Sequence, residues 1–275
     1  IAYGLYKVVA TQEESWTAPG QLYVFADALA ADALEKSRVT AFERVRDVTA
    51  DELGVMTMSH PFAGIDGAEG FWDYDVPMID GDHVTDDAGT GFVHTAPSHG
   101  QDDYECFVAR NWIDRMTHNV GEESEFLPHV PFFAGLQVFD HKGKEGKANG
   151  AVIAKLVEAG GIIARGRVSH SYPHSWRSKA PVIFRNTPQW FAAIDRAVGD
   201  GQDANGTTIR ERALTCIDQV KWTPQSGRNR LYSMMESRPD WVLSRQRAWG
   251  VPLTCFTKVG ALPTDPDFLL RDPAV

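Results

Sequence analysis

Residues 81–112, GDHVTDDAGTGFVHTAPSHGQDDYECFVARNW, gather turn-forming and ionisable residues into one run, and the reading of the whole chain works outward from them. Asp86-Asp87-Ala88-Gly89-Thr90-Gly91 is a turn signal. Phe92-Val93-His94 predicts a short buried strand, which Ala96-Pro97 ends. The loop Ser98-His99-Gly100-Gln101 leads into Asp102 and Asp103, and apolar residues at Tyr104, Phe107, Val108 and Trp112 have helical spacing. The predicted order is strand, glycine-bearing loop, helix start.

A helix start presents unpaired backbone N–H groups and a partial positive charge, so Asp102 and Asp103 fit there as capping residues on structural grounds alone. They fit equally as members of a site. His94 and His99 beside these two carboxylates suggest a metal centre, but the spacing is not HExxH. Pro97 also breaks any helix that would put both imidazoles on one face, so no metal is expected.

Three motifs carry a family resemblance across nearly the whole chain. GTGFVHTAPSHGQDDY (89–104) resembles the signature of the editing domain of the isoleucyl-tRNA synthetases, a hydrolytic insertion that splits their catalytic fold. RPDWVLSRQRAWGVPL (238–253) resembles the strand and loop where the chain re-enters that catalytic domain. HSYPHSWRSKAPVIFR (170–185) and TPQWFAAID (187–195) resemble the segment joining the two. The HTAP-x-HG-x-DDY and RQR-x-WGVP wordings favour the isoleucine enzymes over the valine and leucine ones. Some relatives carry cysteines in the joining segment; Ser175 and Ser178 stand there in this sequence, which argues against zinc.

Composition sets the outer bounds. The 275 residues, 43% hydrophobic, are enough for one large or two ordinary domains. No apolar run reaches membrane-spanning length and the start does not read as a signal peptide, so a soluble protein without a membrane partner is expected. Cys106, Cys216 and Cys255 are widely spaced and odd in number, which excludes a disulfide framework and fits a reducing cytoplasm. The net charge of −10 hides a segregation: residues 1–159 hold 11 Lys/Arg against 27 Asp/Glu, and residues 160–258 hold 15 against 7. A basic second half is compatible with an RNA strand lying over it, and equally with an ordinary solvated face.

Taken in order, Leu5–Val9 and Leu22–Phe25 predict a hairpin turned by Ala18-Pro19-Gly20. Residues 27–36 predict a short helix, and strands are expected around Val39–Val45, Val55–Met58 and Pro77–Ile79. His60 reads as a turn or surface residue. Residues 119–147 read as a long loop holding one strand at Gly135–Phe139. A helix at Ala151–Ala159, capped by Gly160-Gly161, precedes a strand at Ile162–Val168. Texture changes near 168, where Tyr172, His174, Trp176, Arg177 and Lys179 interleave aromatic and basic groups. Packing against the rest of an enzyme is the favoured use of these residues, and stacking on RNA the other. Helices are predicted over 186–198, 207–219 and 227–237, then a buried strand at Trp241–Leu243 and a loose proline-rich tail from Leu262. The expected fold is α+β: a barrel-like, mainly β editing domain with short helices over 1–168, then a mostly helical return segment over 169–275 toward a class I catalytic domain.

The resemblance implies hydrolysis of valine wrongly esterified to the tRNA for isoleucine, with isoleucyl-tRNA refused. One methylene is worth only about 1–3 kcal/mol in a binding pocket, a limit for which the isoleucine enzymes are themselves the standard illustration. By the resemblance, Asp103 would hold the α-ammonium group and His94 would narrow the pocket sterically. Gly89, Thr90 and Gly91 would let the backbone approach the ligand, although the two glycines fit a simple turn equally well, and His99 and Asp102 would support the loop. No side chain reads as a nucleophile, so an activated water is expected, with no cofactor for editing. The family's HIGH-type and KMSKS-type sequences do not appear, so ATP and magnesium are expected to belong to the full-length enzyme only. Gln246 and Trp249 resemble residues near the synthetic pocket. The threonine-rich strand that precedes the first hairpin in the family is expected to be missing, which leaves an inactive structural or tRNA-binding fragment as the alternative.

Overall fold

Alternation builds the first sheet. In β1 (Tyr3–Thr11) the residues Gly4, Tyr6 and Val8 are buried on one face while Lys7 and Val9 are exposed, the period of 2 that a half-covered strand requires. The structure is a computed structural model that describes residues 1–167, 169, 171–245, 250–253, 255–261, 265 and 267–270. Its backbone contacts divide the chain into two units, 1–186 and 187–275. The division falls later than the change of texture at 168, because the following segment is tied into the first unit. There the Asn186 N–H donates to Ser98 O at 2.9 Å, and its side-chain amide donates to Pro97 O at 3.3 Å.

In the first unit β1 lies between β2 (Leu22–Ala26) and β3 (Val39–Val48), antiparallel to both. The β1–β3 register shifts at three places, which bends the ladder. Helix α1 (Ala30–Lys36) covers the inner face, so Ala30, Ala33 and Leu34 join Tyr6, Val8, Phe25 and Val39 in one core. A β-carbon on Gly4 would crowd the ends of the Asp27 and Arg44 side chains, which would have to shift. Asp27 accepts from Arg44 at 3.0 and 2.7 Å and from the Tyr6 hydroxyl at 2.7 Å, and these donors, Arg44 first, hold its carboxyl below the usual range.

A second core forms around Phe62, Ala68, Trp72, Val130 and Phe133, against α4 (Ala148–Glu158). The first unit also holds α2 (Ala50–Gly54), with a Thr49/Glu52 capping box, the short pair β4 (Thr57–Ser59) and β5 (Asp75–Pro77), and α3 (Gln101–Ala109). Helix α2 was readable from Thr49-x-x-Glu52 and was not among the predicted elements. In the second unit β6 (Phe191–Ala192) pairs with β7 (Trp241–Val242), and α5 (Ile209–Gln219) packs with α6 (Ser226–Glu236). Among the described residues the strands form three separate antiparallel sheets, and no ladder among them closes into a barrel.

Several predicted elements are corrected. The strand at Phe92–His94 is absent: Gly89 and Gly91 both take positive φ (79° and 82°), which turns the backbone out of an extended course. Residues 162–167 form no strand, and Val168 lies outside the described residues. The helix predicted over 186–198 is replaced by β6, because distant groups take the donors: Trp190 N–H bonds Ser244 Oγ at 2.8 Å and Ile194 N–H bonds Asp240 Oδ1 at 3.0 Å. Trp241–Val242 is a strand but an exposed one. Gln246, Trp249 and most of the tail from Leu262 fall outside the described residues.

Candidate functional site

The loop 81–103 has almost no regular structure and is held at three points. At its centre the Thr90 carbonyl accepts from Ala26 N–H at 3.0 Å, and the Gly91 carbonyl accepts from the Tyr3 hydroxyl at 2.7 Å. The Tyr3 and Phe92 rings lie 4.9 Å apart. Burial, with the charge of Asp86 behind it, raises the Tyr3 phenol and keeps it a neutral donor. A β-carbon on Gly91 would run into Ala26, whereas one on Gly89 would meet open space. Of the two turn glycines, Gly91 is thus the one whose missing side chain lets the loop seat on the sheet. Thr90 Oγ1 stays local, 3.4 Å from Phe92 N.

The second point is the start of α3. Gly100 stands at the N-cap position, so Asp102 and Asp103 both fall in the first turn, where the helix dipole favours carboxylates. Asp103 Oδ2 turns back over Gly100 and accepts from Ala96 N–H at 2.9 Å. Its Oδ1 faces His83 Nε2 at 3.9 Å, and the side chain keeps 16% of its surface accessible. Asp102 points elsewhere, into an open cavity of about 390 Å³ that it lines with Asp80, Asp82, His83, Glu105 and Arg110. Arg110 is bonded to Asp80 at 2.6 Å, and the remaining carboxylates of Asp82, Asp102 and Glu105 leave the cavity acidic.

The third point is His99, whose Nδ1 is 2.8 Å from Phe184 O. It ties the loop to the 180–186 segment and acts as a brace. Ser98 Oγ bonds Thr117 O beside it. His94 is exposed. It lies close enough to His60 that its charge, after burial, lowers the His60 imidazole below its ordinary value. His60 begins a turn, as its sequence suggests, its carbonyl accepting from Ala63 N–H at 2.9 Å, but its ring is half-buried. It stacks on Trp72 with centroids 4.6 Å apart, and its Nδ1 accepts from Phe62 N–H at 3.1 Å.

The predicted residues are therefore brought to one loop but held by different partners: Thr90 and Gly91 by the sheet, Asp103 by Ala96 and His83, His99 by Phe184, and His94 beside His60. His83 is the neighbour that sequence reasoning missed. It lies near the start of the same loop, and no spacing rule connects it to Asp103. Among the described residues no three His, Cys, Asp or Glu side chains are grouped to hold a metal ion. Chemically, the arrangement offers a fixed carboxylate with one oxygen committed to the backbone and the other, beside His83, partly accessible to a cation.

Comparison with known proteins bears on this loop. Residues 11–261 match the family model of the class I tRNA synthetases (I, L, M and V). The isoleucine–tRNA ligase of Ruegeria pomeroyi is 57% identical over 279 residues, covering 100% of this chain and 29% of that protein. Those of Bradyrhizobium diazoefficiens and Rhodopseudomonas palustris are 48% and 47% identical over 266 residues, covering 94% of this chain and 26% of each relative. The chain thus spans less than a third of the length of these curated relatives. No helix among the described residues is long and apolar enough to cross a membrane.

Proposed function

This chain belongs to the class I tRNA synthetases, and we propose that it is the editing part of an isoleucine–tRNA ligase, releasing valine wrongly joined to the tRNA for isoleucine. The observation that carries the reading is the Asp103 carboxylate, fixed at the start of α3 by Ala96 N–H and still accessible. A fixed anion suits the α-ammonium group of an esterified amino acid, and its rigidity orients the ester for attack. Water adds to the ester carbonyl and the bond to the terminal ribose oxygen breaks. Valine leaves as a carboxylate, one proton of the water ends on the ribose hydroxyl, and the other is released. His94 acts by volume, excluding the larger isoleucine side chain. The Thr90–Gly91 backbone shapes the pocket, while Asp102 and His99 support it.

Editing in this reading needs no cofactor. Attachment of isoleucine with ATP and magnesium belongs to the longer protein, whose HIGH-type and KMSKS-type sequences are not among these residues. Its partners are the tRNA for isoleucine and the remaining synthetase domains, in the cytoplasm. The exposure of His94 favours a second reading, in which the chain by itself binds tRNA and hydrolyses nothing.

The test is valine release from valyl-tRNA for isoleucine, with isoleucyl-tRNA as control. Asp103→Asn keeps an acceptor for Ala96 N–H and removes the charge; it is expected to fold normally and to lose release. His94→Ala is expected to hydrolyse isoleucyl-tRNA as well. Wild-type release by Asp103→Asn would sink the ammonium-binding role, and no release by the folded wild-type chain would leave the second reading.

A further inference from the structure

Between residues 159 and 194 the sequence carries five Lys/Arg and no Asp/Glu, in a chain whose net charge is −10. In the middle of that stretch a tight turn projects from the first unit. Ser175 N–H donates to Ala180 O at 2.9 Å, Lys179 N–H to Ser175 O at 2.8 Å, and His174 bridges to Pro181. Ala180 seats against Gly143, where a β-carbon would not fit, and Tyr172 OH bonds Val182 O at 2.7 Å below the turn. The turn is thus built, and what it presents is Trp176, 77% exposed. The Arg177 guanidinium lies 5.1 Å from the indole centroid, which leaves the other face of the ring open. Among the described residues neither Arg177 nor Lys179 has an ion-pair partner. Trp176 gains nothing from water, and two unpaired cations beside it favour an anion.

We propose that the Trp176–Lys179 turn binds the unpaired 3′ end of tRNA, one base stacking on the open face of Trp176 while Arg177 and Lys179 take the flanking phosphates. A single strand is required, because a base inside a duplex has no free face to stack. The proposal rests on the reading above that charged tRNA is the substrate, and it adds where the strand lies.

The probe is uncharged tRNA for isoleucine, bound to the 275-residue chain and followed by filter retention at several salt concentrations. Trp176→Ala is expected to weaken binding about tenfold, the loss of one stacked base, and Trp176→Phe to restore most of it. Arg177→Ala and Lys179→Ala are each expected to reduce the slope of log affinity against log salt by about one. A tRNA trimmed of its unpaired 3′ end should bind like the Trp176→Ala complex and lose nothing further with that variant. Equal binding by wild type and Trp176→Ala overturns the proposal, and is the result expected if another part of the longer synthetase covers the indole. No binding by the folded wild-type chain overturns it too. Valine release measured in parallel separates the two readings. Trp176-dependent binding without release defeats the editing function alone, and release with Trp176-independent binding defeats this surface alone.

Discussion

The β2-β1-β3 sheet and the 81–103 loop touch each other yet are ordered by different forces. The sheet is ordered by burial: Tyr6, Val8, Phe25 and Leu34 leave water together, and the ladder follows. The loop has little apolar surface to bury and no ladder of its own. It borrows its shape through a few hydrogen bonds, from the sheet at Ala26 and Tyr3 and from α3 at Asp103. The lesson is that a site of this kind sits on a scaffold whose stability it does not supply. Loss in the scaffold should be large and general, and loss in the loop small in stability but specific to activity.

The hardest blow to that contrast falls on the sheet. Leu34→Ala empties a fully buried position and is expected to cost about 2–5 kcal/mol in urea unfolding. Valine release per folded molecule should be unchanged. If activity fell in proportion while stability held, the division between scaffold and site would be wrong. The next effect tests the join. Gly91→Ala forces a β-carbon onto Ala26 at positive φ, at a cost of about 1–3 kcal/mol, and should also depress release by unseating the loop. Gly89→Ala shares the positive φ but meets open space, so it should cost only about 1 kcal/mol and spare activity. Equal penalties for the two glycines would mean that the Tyr3–Gly91 contact does not hold the loop.

The smallest effect is a pH dependence at the second core. His60 is lowered from its ordinary 6.5 by burial first and the charge of His94 second. An unfolded His60 therefore takes up its proton at a higher pH than the folded one. Its contribution is fully present above about pH 6.5 and is lost as pH falls through the folded value. Thermal melting between pH 8 and pH 5 should show this decline, and His60→Gln should flatten it. An unchanged profile in that variant would place the titration elsewhere.

Which parts were legible follows from the range of the forces involved. The hairpin, α1, α4, α5 and α6 were readable because apolar periodicity and caps are local, as in the Thr208/Glu211 box that starts α5. The membership of the 89–104 motif was legible as wording. Its conformation was not, since a short apolar run reads the same as a buried strand or as one ring docked on a sheet, and Phe92 proved to be the latter. The stretch 186–198 failed similarly: its helical spacing was real, but donors at Trp190 and Ile194 found Ser244 and Asp240 instead.

The sequence by itself determined the family resemblance, the segregation of acid and base, the absence of disulfide spacing, and the presence of both aspartates at a helix start, because each depends only on residue identity and short spacing. The tertiary structure alone decided that Asp103 turns toward Ala96 and His83 while Asp102 faces the acidic cavity. It also decided that Gly91 and not Gly89 is sterically required, and that the His60 ring is half-buried in a stack on Trp72. Those outcomes depend on which distant groups arrive beside a residue, and neither burial nor a hydrogen-bond partner many residues away is written in local spacing.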